Sequence, residues 1–406
     1  MIKIALTRLD SGRHDPVRFE HDRSEFLAPL RREFALLETR PGEETEADLH
    51  VVFIASGGTE DQFRRLYPRL PRPVILLADG KHNSLAAAME ISSWVRQQGE
   101  PAEIAHGDSS FISARFRRLT DFQRTRRTLR GRIGIIGEPS DWLIASAVDR
   151  GAVKNRWGTE FIDIALSEVT GHQAEEAEIE AIAREFTEQA AALDGVEETA
   201  VRTAARLVPA LKTVFLRHRL QAATLRCFSL IERLQTSGCL ALSRLNDEGM
   251  ICGCEGDVPA AFSMLLLSAL TGEIPFMANP AAVDRENNQL ILAHCTVPRR
   301  AVSGYRLQTH FETGQGIGLS GDFAPGSVTV FKVGNPGLGS YFVSGADVLP
   351  GRLEPGLCRT QVRLLLQEPV GYFLHASLAN HHLLVRGNHS GLIDDFMRHC
   401  GAARIK

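Results

Sequence analysis

Short apolar runs alternate with helix-length segments over most of the chain, and beyond roughly residue 285 the alternation stops. Ile2–Leu6, Val51–Ile54 and Val74–Leu77 read as strands, and Ser84–Gln97, set between turn signals, reads as a helix. Such alternation packs helices on a mostly parallel sheet, so the first 130 residues imply a doubly wound α/β layer. A second layer begins at Ile133–Ile136 and continues through the strongly helical residues 173–235. There Ile179, Ile182, Phe186, Ala190 and Leu193 keep the three-and-four spacing of one buried helix face, and Gly195 offers a stop. Past 285 the pieces Gln289–Ala293, Ser327–Val333, Gly339–Val343, Gln361–Leu366 and Leu383–Val385 are short, strand-like and separated by Gly and Pro. Helical periodicity returns only at Ser390–Arg398. The expected fold is two doubly wound α/β layers followed by a C-terminal β-barrel-like domain, with domains at 1–130, 131–284 and 285–406.

Charge narrows the partners. With 46 basic and 49 acidic side chains the formal charge is −3, which gives no reason to expect nucleic acid. No apolar stretch approaches the length of a membrane span, and the first residues read as a strand, not a signal peptide. Seven scattered cysteines, an odd number without a framework spacing, suit reduced thiols; a cytoplasmic location is the expectation. Gly57-Gly58 lacks the spacing of a dinucleotide loop. Eight arginines crowd residues 115–132, which reads as a solvated helix face or subunit contact, or as a holder of phosphate or sulfonate.

One carboxylate and a set of histidines carry the chemistry. Glu255 lies in Cys252-Gly-Cys-Glu-Gly-Asp257, between the apolar run Met250–Cys254 and Val258–Leu270, so it sits on a strand-to-helix turn. The next apolar run, Ile274–Ala278, ends in Asn279. If these form one βαβ unit, Glu255 and Asn279 emerge at the same sheet edge, where ligands of α/β sheets bind. His375, His381, His382 and His389 crowd the carboxyl end, and His294 follows a β run. A carboxylate and imidazoles from separate segments can share a divalent ion such as Mn2+ or Mg2+. The alternatives are a plain helix cap at the Glu-Gly-Asp turn and hydrogen-bonded core imidazoles.

Three stretches carry a family resemblance: Cys254-Glu-Gly-Asp-Val-Pro-Ala-Ala-Phe-Ser-Met264, Pro275-Phe-Met-Ala-Asn279 and Leu378-Ala-Asn-His-His-Leu-Leu-Val385. With Gly137-Glu-Pro-Ser-Asp-Trp-Leu-Ile-Ala-Ser146, Ala293-His-Cys295 and Leu357-Cys-Arg-Thr-Gln-Val362 they resemble the L-fucose isomerase and L-arabinose isomerase superfamily. The resemblance implies an aldose–ketose isomerase working through an enediolate. It further implies a divalent cofactor, Mn2+ or else Mg2+ or Co2+, and a homo-oligomer, hexamer or trimer. It makes Glu255 a metal ligand and acid/base, His381 a metal ligand, and His294 a sugar-side proton shuttle. Trp142, Arg359 and Asn380 become substrate-binding or orienting residues. Asn279 stands where the family has an aspartate that is both ligand and acid/base; an amide offers oxygen but neither charge nor a proton. Either Asp284 replaces it or the chemistry has changed. A deoxy- or sulfo-sugar such as sulfoquinovose suits the less negative site, with Arg359 or the arginine run holding a sulfonate. The alternative is a non-catalytic sugar-binding protein on the same fold.

Overall fold

The computed structural model describes residues 1–40, 43 and 45–406. The chain divides into two compact units, residues 1–125 with 396–401 and residues 126–395 with 402–406. In the first, strands β1 (Lys3–Leu9), β2 (Ala35–Thr39), β3 (Leu49–Ile54), β4 (Val74–Ala78) and β5 (Ala102–Ala105) form one parallel sheet in the order β2-β1-β3-β4-β5. β3 and β4 are apolar almost throughout because both faces of a parallel sheet are covered. Helix Ser84–Gln97 has the expected bounds and buries Ala87, Ala88, Ile91 and Val95 against Val52, Ile54, Leu76 and their neighbours.

The arginine run is a helix, Ser109–Leu129. Arg115 forks onto Glu103, Arg117 pairs with Glu33 at 2.6 Å and Arg124 with Asp121 at 2.7 Å. Those three guanidinium groups meet carboxylates of the chain itself.

The second unit holds a parallel α/β layer and a closed barrel. β6 (Arg132–Ile136), β7 (Glu160–Ile164), β9 (Ala222–Leu225) and β10 (Ile251–Gly253) form a parallel sheet ordered β10-β9-β6-β7. Strand β8 (Leu193–Asp194) lies apart, against β13 (Gly304–Gln308), which also pairs with β14 (Gly318–Asp322). The helical face expected to run on to Leu193 therefore stops early. The helix is Glu176–Gln189, burying Ile179, Ile182 and Phe186, and Ala190 is already extended. Pairing with β13 overrides the helical spacing of the last two positions.

The barrel consists of β11 (Phe276–Asp284), β12 (Gln289–His294), β15 (Ser327–Gly334), β16 (Ser340–Leu349), β17 (Thr360–Leu366) and β18 (His382–Arg386). These run β15-β18-β11-β12-β17-β16, and β16 pairs back onto β15 over Ser327–Gly334, so the six strands close. Closure leaves no open edge among them. A last short strand, β19 (Ala403–Arg404), lies on β16.

The expected βαβ unit around Glu255 does not form. β10 belongs to the parallel layer, whereas the strand ending in Ala278-Asn279 is β11, antiparallel to β12 and β18 in the barrel. The connecting helix Val258–Thr271 explains why: Val258 to Leu267 are all buried, so it needs cover on every side. It packs on β9 and β10 with one side and on β15 and β18 with another. The helix thus joins two sheets instead of crossing over one, and it delivers Glu255 to the barrel.

Among the described residues, no helix is long and apolar enough to cross a membrane. All seven cysteines are free thiols, and only Cys358 is not buried.

Candidate active site

Glu255 follows β10 on a turn that ordinary side chains avoid. Its φ is 61° and that of Gly256 is 74°, two left-handed residues in succession. For a non-glycine residue this costs on the order of 1–3 kcal/mol and persists only where the surroundings enforce it. Three contacts do so. The Gly256 N–H donates to Leu225 O at 3.1 Å, the Ser140 N–H donates to Glu255 O at 3.0 Å, and Pro139 presses on Gly256. A Cβ on Gly256 would lie 2.6 Å from Pro139 Cα, so only glycine fits.

The turn points Glu255 at two barrel histidines. His294 ends β12, and His381 immediately precedes β18. Glu255 Oε1 lies 3.4 Å from His381 Nε2 and 3.7 Å from His294 Nε2. The ligand atoms of Glu255, His294 and His381 all lie within 4.8 Å of one another, and all three residues are buried. Donors bound to one cation at about 2.0–2.2 Å are spaced in this way.

The far side of each ring is fixed. His381 Nδ1 donates to Asp257 Oδ2 at 2.9 Å, and His294 Nδ1 pairs with Thr296 Oγ1 at 2.8 Å. With Nδ1–H committed to Asp257, Nε2 is the free acceptor of neutral His381, the form that binds a cation. That Nε2 is buried and has no hydrogen-bond partner, although buried polar atoms are ordinarily paired. The residues therefore fit a divalent ion, and the group can hold one.

Charge around the cluster is tightly coupled. Burial alone would raise the Glu255 carboxyl, but the adjacent His294 and His381 rings outweigh it and hold the group well below the usual carboxylate range. Burial would lower His381, yet Asp257 and Glu255 push it up to about 9. Asp257 is itself held down to about 2 against burial, with Lys332 the largest counterweight. Lys332 is fully buried on β15, and its Nζ stands 3.7 Å from Asp257 Oδ2.

The remaining expected residues are placed as follows. Trp142 joins the cluster: its indole Nε1 donates to Glu255 Oε2 at 2.7 Å, and its ring meets the Phe228 edge at 5.0 Å. Asn279 stands between the two histidine strands, pairing with Ala293 on β12, while Ala278 pairs with His382 on β18. Its Oδ1 accepts from Asn380 Nδ2 at 3.4 Å. The ring of His381 is held by Asp257, and the Asn380 carbonyl accepts from His382. His382 Nε2 meets the Tyr372 hydroxyl at 3.1 Å, so it is a satisfied core imidazole. Arg359 turns its guanidinium to Thr309, with Nε donating to the carbonyl at 2.8 Å, and lies over Phe311. Asp284 lies outside the Glu255–His294–His381 cluster and caps the β11–β12 turn, accepting from Glu286 and Asn287 backbone N–H groups.

Sequence reasoning missed Asp257 and Lys332 as partners of the site. Asp257 had a signal, since the Glu-Gly-Asp turn was open to reading as a helix cap, and Oδ1 does accept the Ala260 N–H at 2.8 Å. Only the fold shows that Oδ2 serves His381. For Lys332 the one hint is a lysine inside the apolar run Ser327–Val333.

No family model matches the chain. It is similar to the sulfoquinovose isomerase of Alkalicoccus urumqiensis, 25% identical over 301 residues that cover 71% of this chain and 67% of that protein. It is 24% identical to the sulfoquinovose isomerase of Priestia aryabhattai over 262 residues, 62% of this chain and 58% of the relative's length. A shorter match, 31% over 122 residues, joins 29% of the chain to 27% of the sulfoquinovose isomerase of Clostridium sp. (strain MSTE9).

Proposed function

We propose that this chain is a metal-dependent aldose–ketose isomerase acting on a sulfosugar such as sulfoquinovose. The observation that carries the reading is the buried Glu255–His294–His381 cluster, with its orphaned Nε2, on a fold of parallel layers and closed barrel. The relatives named sulfoquinovose isomerases support it, as does the resemblance to fucose and arabinose isomerases.

In this proposal a divalent ion, Mn2+ in preference to Mg2+ or Co2+, would supply Lewis acidity to the carbonyl and adjacent hydroxyl of the open-chain sugar. Glu255, His294 and His381 would hold it, and we assign the neutral amide oxygen of Asn279 to the same site. Glu255 takes the proton from C2 and returns it to C1, leaving a cis-enediolate between the two steps. Because His294 Nδ1 is on Thr296, Nε2 is its one nitrogen for the cation, and the second proton would pass between O1 and O2 without that ring. Trp142 offers a half-exposed ring to the sugar chain, Asn380 a polar contact at the rim, and Arg359 a guanidinium for the sulfonate. The substrate's own anion complements a site in which Asn279 has removed one negative charge.

The proposal includes a homo-oligomer, trimer or hexamer, and a cytoplasmic location, which the seven free thiols support. Within the second unit, the parallel layer brings Glu255, and the barrel, which begins at Phe276 and not at 285, brings both histidines.

The test is an aldose panel of sulfoquinovose, L-fucose, D-arabinose and L-arabinose with Mn2+ in D2O, followed by NMR. Ketose formation and deuterium at C2 from sulfoquinovose, both lost in Glu255→Gln, is the expected result. Turnover of the neutral sugars but not of sulfoquinovose would remove the sulfosugar. Binding without ketose or deuterium would favour a sugar-binding protein that lost its chemistry at Asn279.

A further inference from the structure

Trp142 is 52% exposed, yet its one polar atom is turned inward onto the candidate metal ligand. An indole kept only for core packing would be covered; one kept only to stack on substrate would leave its N–H to water. Here the N–H lies 2.7 Å from Glu255 Oε2, while the other carboxylate oxygen, Oε1, is the one that faces both histidine Nε2 atoms. The loop that carries Trp142 is itself braced. Arg226 Nη1 donates to Pro139 O at 2.8 Å, and its Nη2 donates to Asp141 Oδ2 at 3.2 Å. The same loop holds the Glu255 carbonyl through the Ser140 N–H and closes over Gly256 through Pro139. Backbone and side chain of the left-handed Glu255 are thus gripped by one ten-residue segment, Gly137 to Ser146.

We infer that Trp142 is a positioning residue for Glu255: its indole N–H occupies Oε2 and so reserves Oε1 for the cation held with His294 and His381. A carboxylate with both oxygens free turns about its last bond and binds a cation through either oxygen or both. The bond to Trp142 removes that freedom. Oε2 keeps a second lone pair, so it can still accept a proton, from a direction that the indole sets. The structural core of this inference needs only a cation at the cluster; its effect on turnover rests on the isomerase reading above.

Two variants and two readouts test it. Trp142→Phe keeps a ring and loses the N–H; Trp142→Ala loses both. In Mn2+ titrations of the intact protein, Trp142→Phe should weaken binding by roughly tenfold, as loss of a ligand-orienting partner does. Trp142→Ala should add little to that. On sulfoquinovose, kcat should fall roughly tenfold in Trp142→Phe with KM nearly unchanged. In wild-type protein carrying 15N-indole, the Trp142 N–H signal should move in Glu255→Gln while those of Trp94 and Trp157 stay, a readout that needs no Trp142 variant to fold.

Mn2+ affinity within twofold of wild type in Trp142→Phe, or an indole signal indifferent to Glu255→Gln, overturns the inference. So does a stacking pattern, with Trp142→Phe normal and KM raised only in Trp142→Ala. If wild-type protein binds Mn2+ but isomerises no sugar, the function falls while the titrations still decide the role of Trp142. If it binds no Mn2+ at all, the inference falls as well.

Discussion

Asp257 accepts the Ala260 N–H on one oxygen and the His381 ring on the other, with the Lys332 ammonium nearby. A single carboxylate therefore caps a helix, sets a histidine tautomer and balances a buried cation. Asparagine has one acceptor oxygen and turns an NH2 group toward whichever donor is left. Asp257→Asn should weaken Mn2+ binding by about 10–100-fold, because His381 loses the partner that holds its Nε2 toward Glu255. The same variant should lose about 3–5 kcal/mol of stability, because Lys332 is left buried without its counter-charge. Mn2+ titration beside urea unfolding measures both. Unaltered affinity with lowered stability would make Asp257 a cap and nothing more.

At the level of elements, the helix Val258–Thr271 and strand β15 share the Asp257–Lys332 pair, and every part of that contact is buried. The Nζ of Lys332 has no hydrogen bond, so the ammonium is held by charge at 3.7 Å. Breaking such a pair is costly because the partner stays buried and charged, whereas removing both charges is close to neutral. Lys332→Met should cost about 3–5 kcal/mol, and adding Asp257→Asn to it should cost less than the two single changes summed. A double-mutant cycle in urea reads this. Strict additivity would show that the pair is not coupled across helix and strand.

On the scale of the whole molecule, the chain leaves its first unit near residue 125 and returns to it at residues 396–401. Within that unit His399 Nδ1 lies 3.2 Å from Glu103, and Phe396 meets Phe122 edge-on at 5.3 Å. Burial would raise Glu103, but the Arg115 fork and then His399 outweigh it and hold the carboxyl down to about 2. A carboxylate whose folded pKa lies below its unfolded value contributes stability above the unfolded value, near 4.5, and loses it as pH falls toward 2. The contribution is of order 3 kcal/mol at most. Urea midpoints measured from pH 6 to pH 3 should therefore fall more steeply for wild type than for Glu103→Gln. Parallel slopes would mean that Glu103 is not the group that titrates.

The kinds of element and the chemistry of the key side chains are legible in the residues alone. Val51–Ile54, Val74–Leu77 and Ser84–Gln97 were legible because parallel strands are apolar throughout and an amphipathic helix repeats every three to four residues. The switch to short strands past residue 285 announced the barrel. Glu255, His294 and His381 stood out as donors on a turn and at strand ends. What periodicity cannot carry is which sheet a strand joins. Ala222–Leu225 is a four-residue run, three of them apolar, within a helical stretch, and local pattern cannot tell such a run from a helix. β11 reads like the closing strand of a βαβ unit, and only the need of helix Val258–Thr271 for cover on all sides sends it into the barrel. The pairing of Asp257 with His381 spans 124 residues, that of Trp142 with Glu255 spans 113, and Lys332 meets Asp257 from a different strand. Contacts so distant along the chain exist only once two sheets and a helix have packed together, and it is that packing which orients Glu255, His294 and His381 toward one another and fixes what braces them.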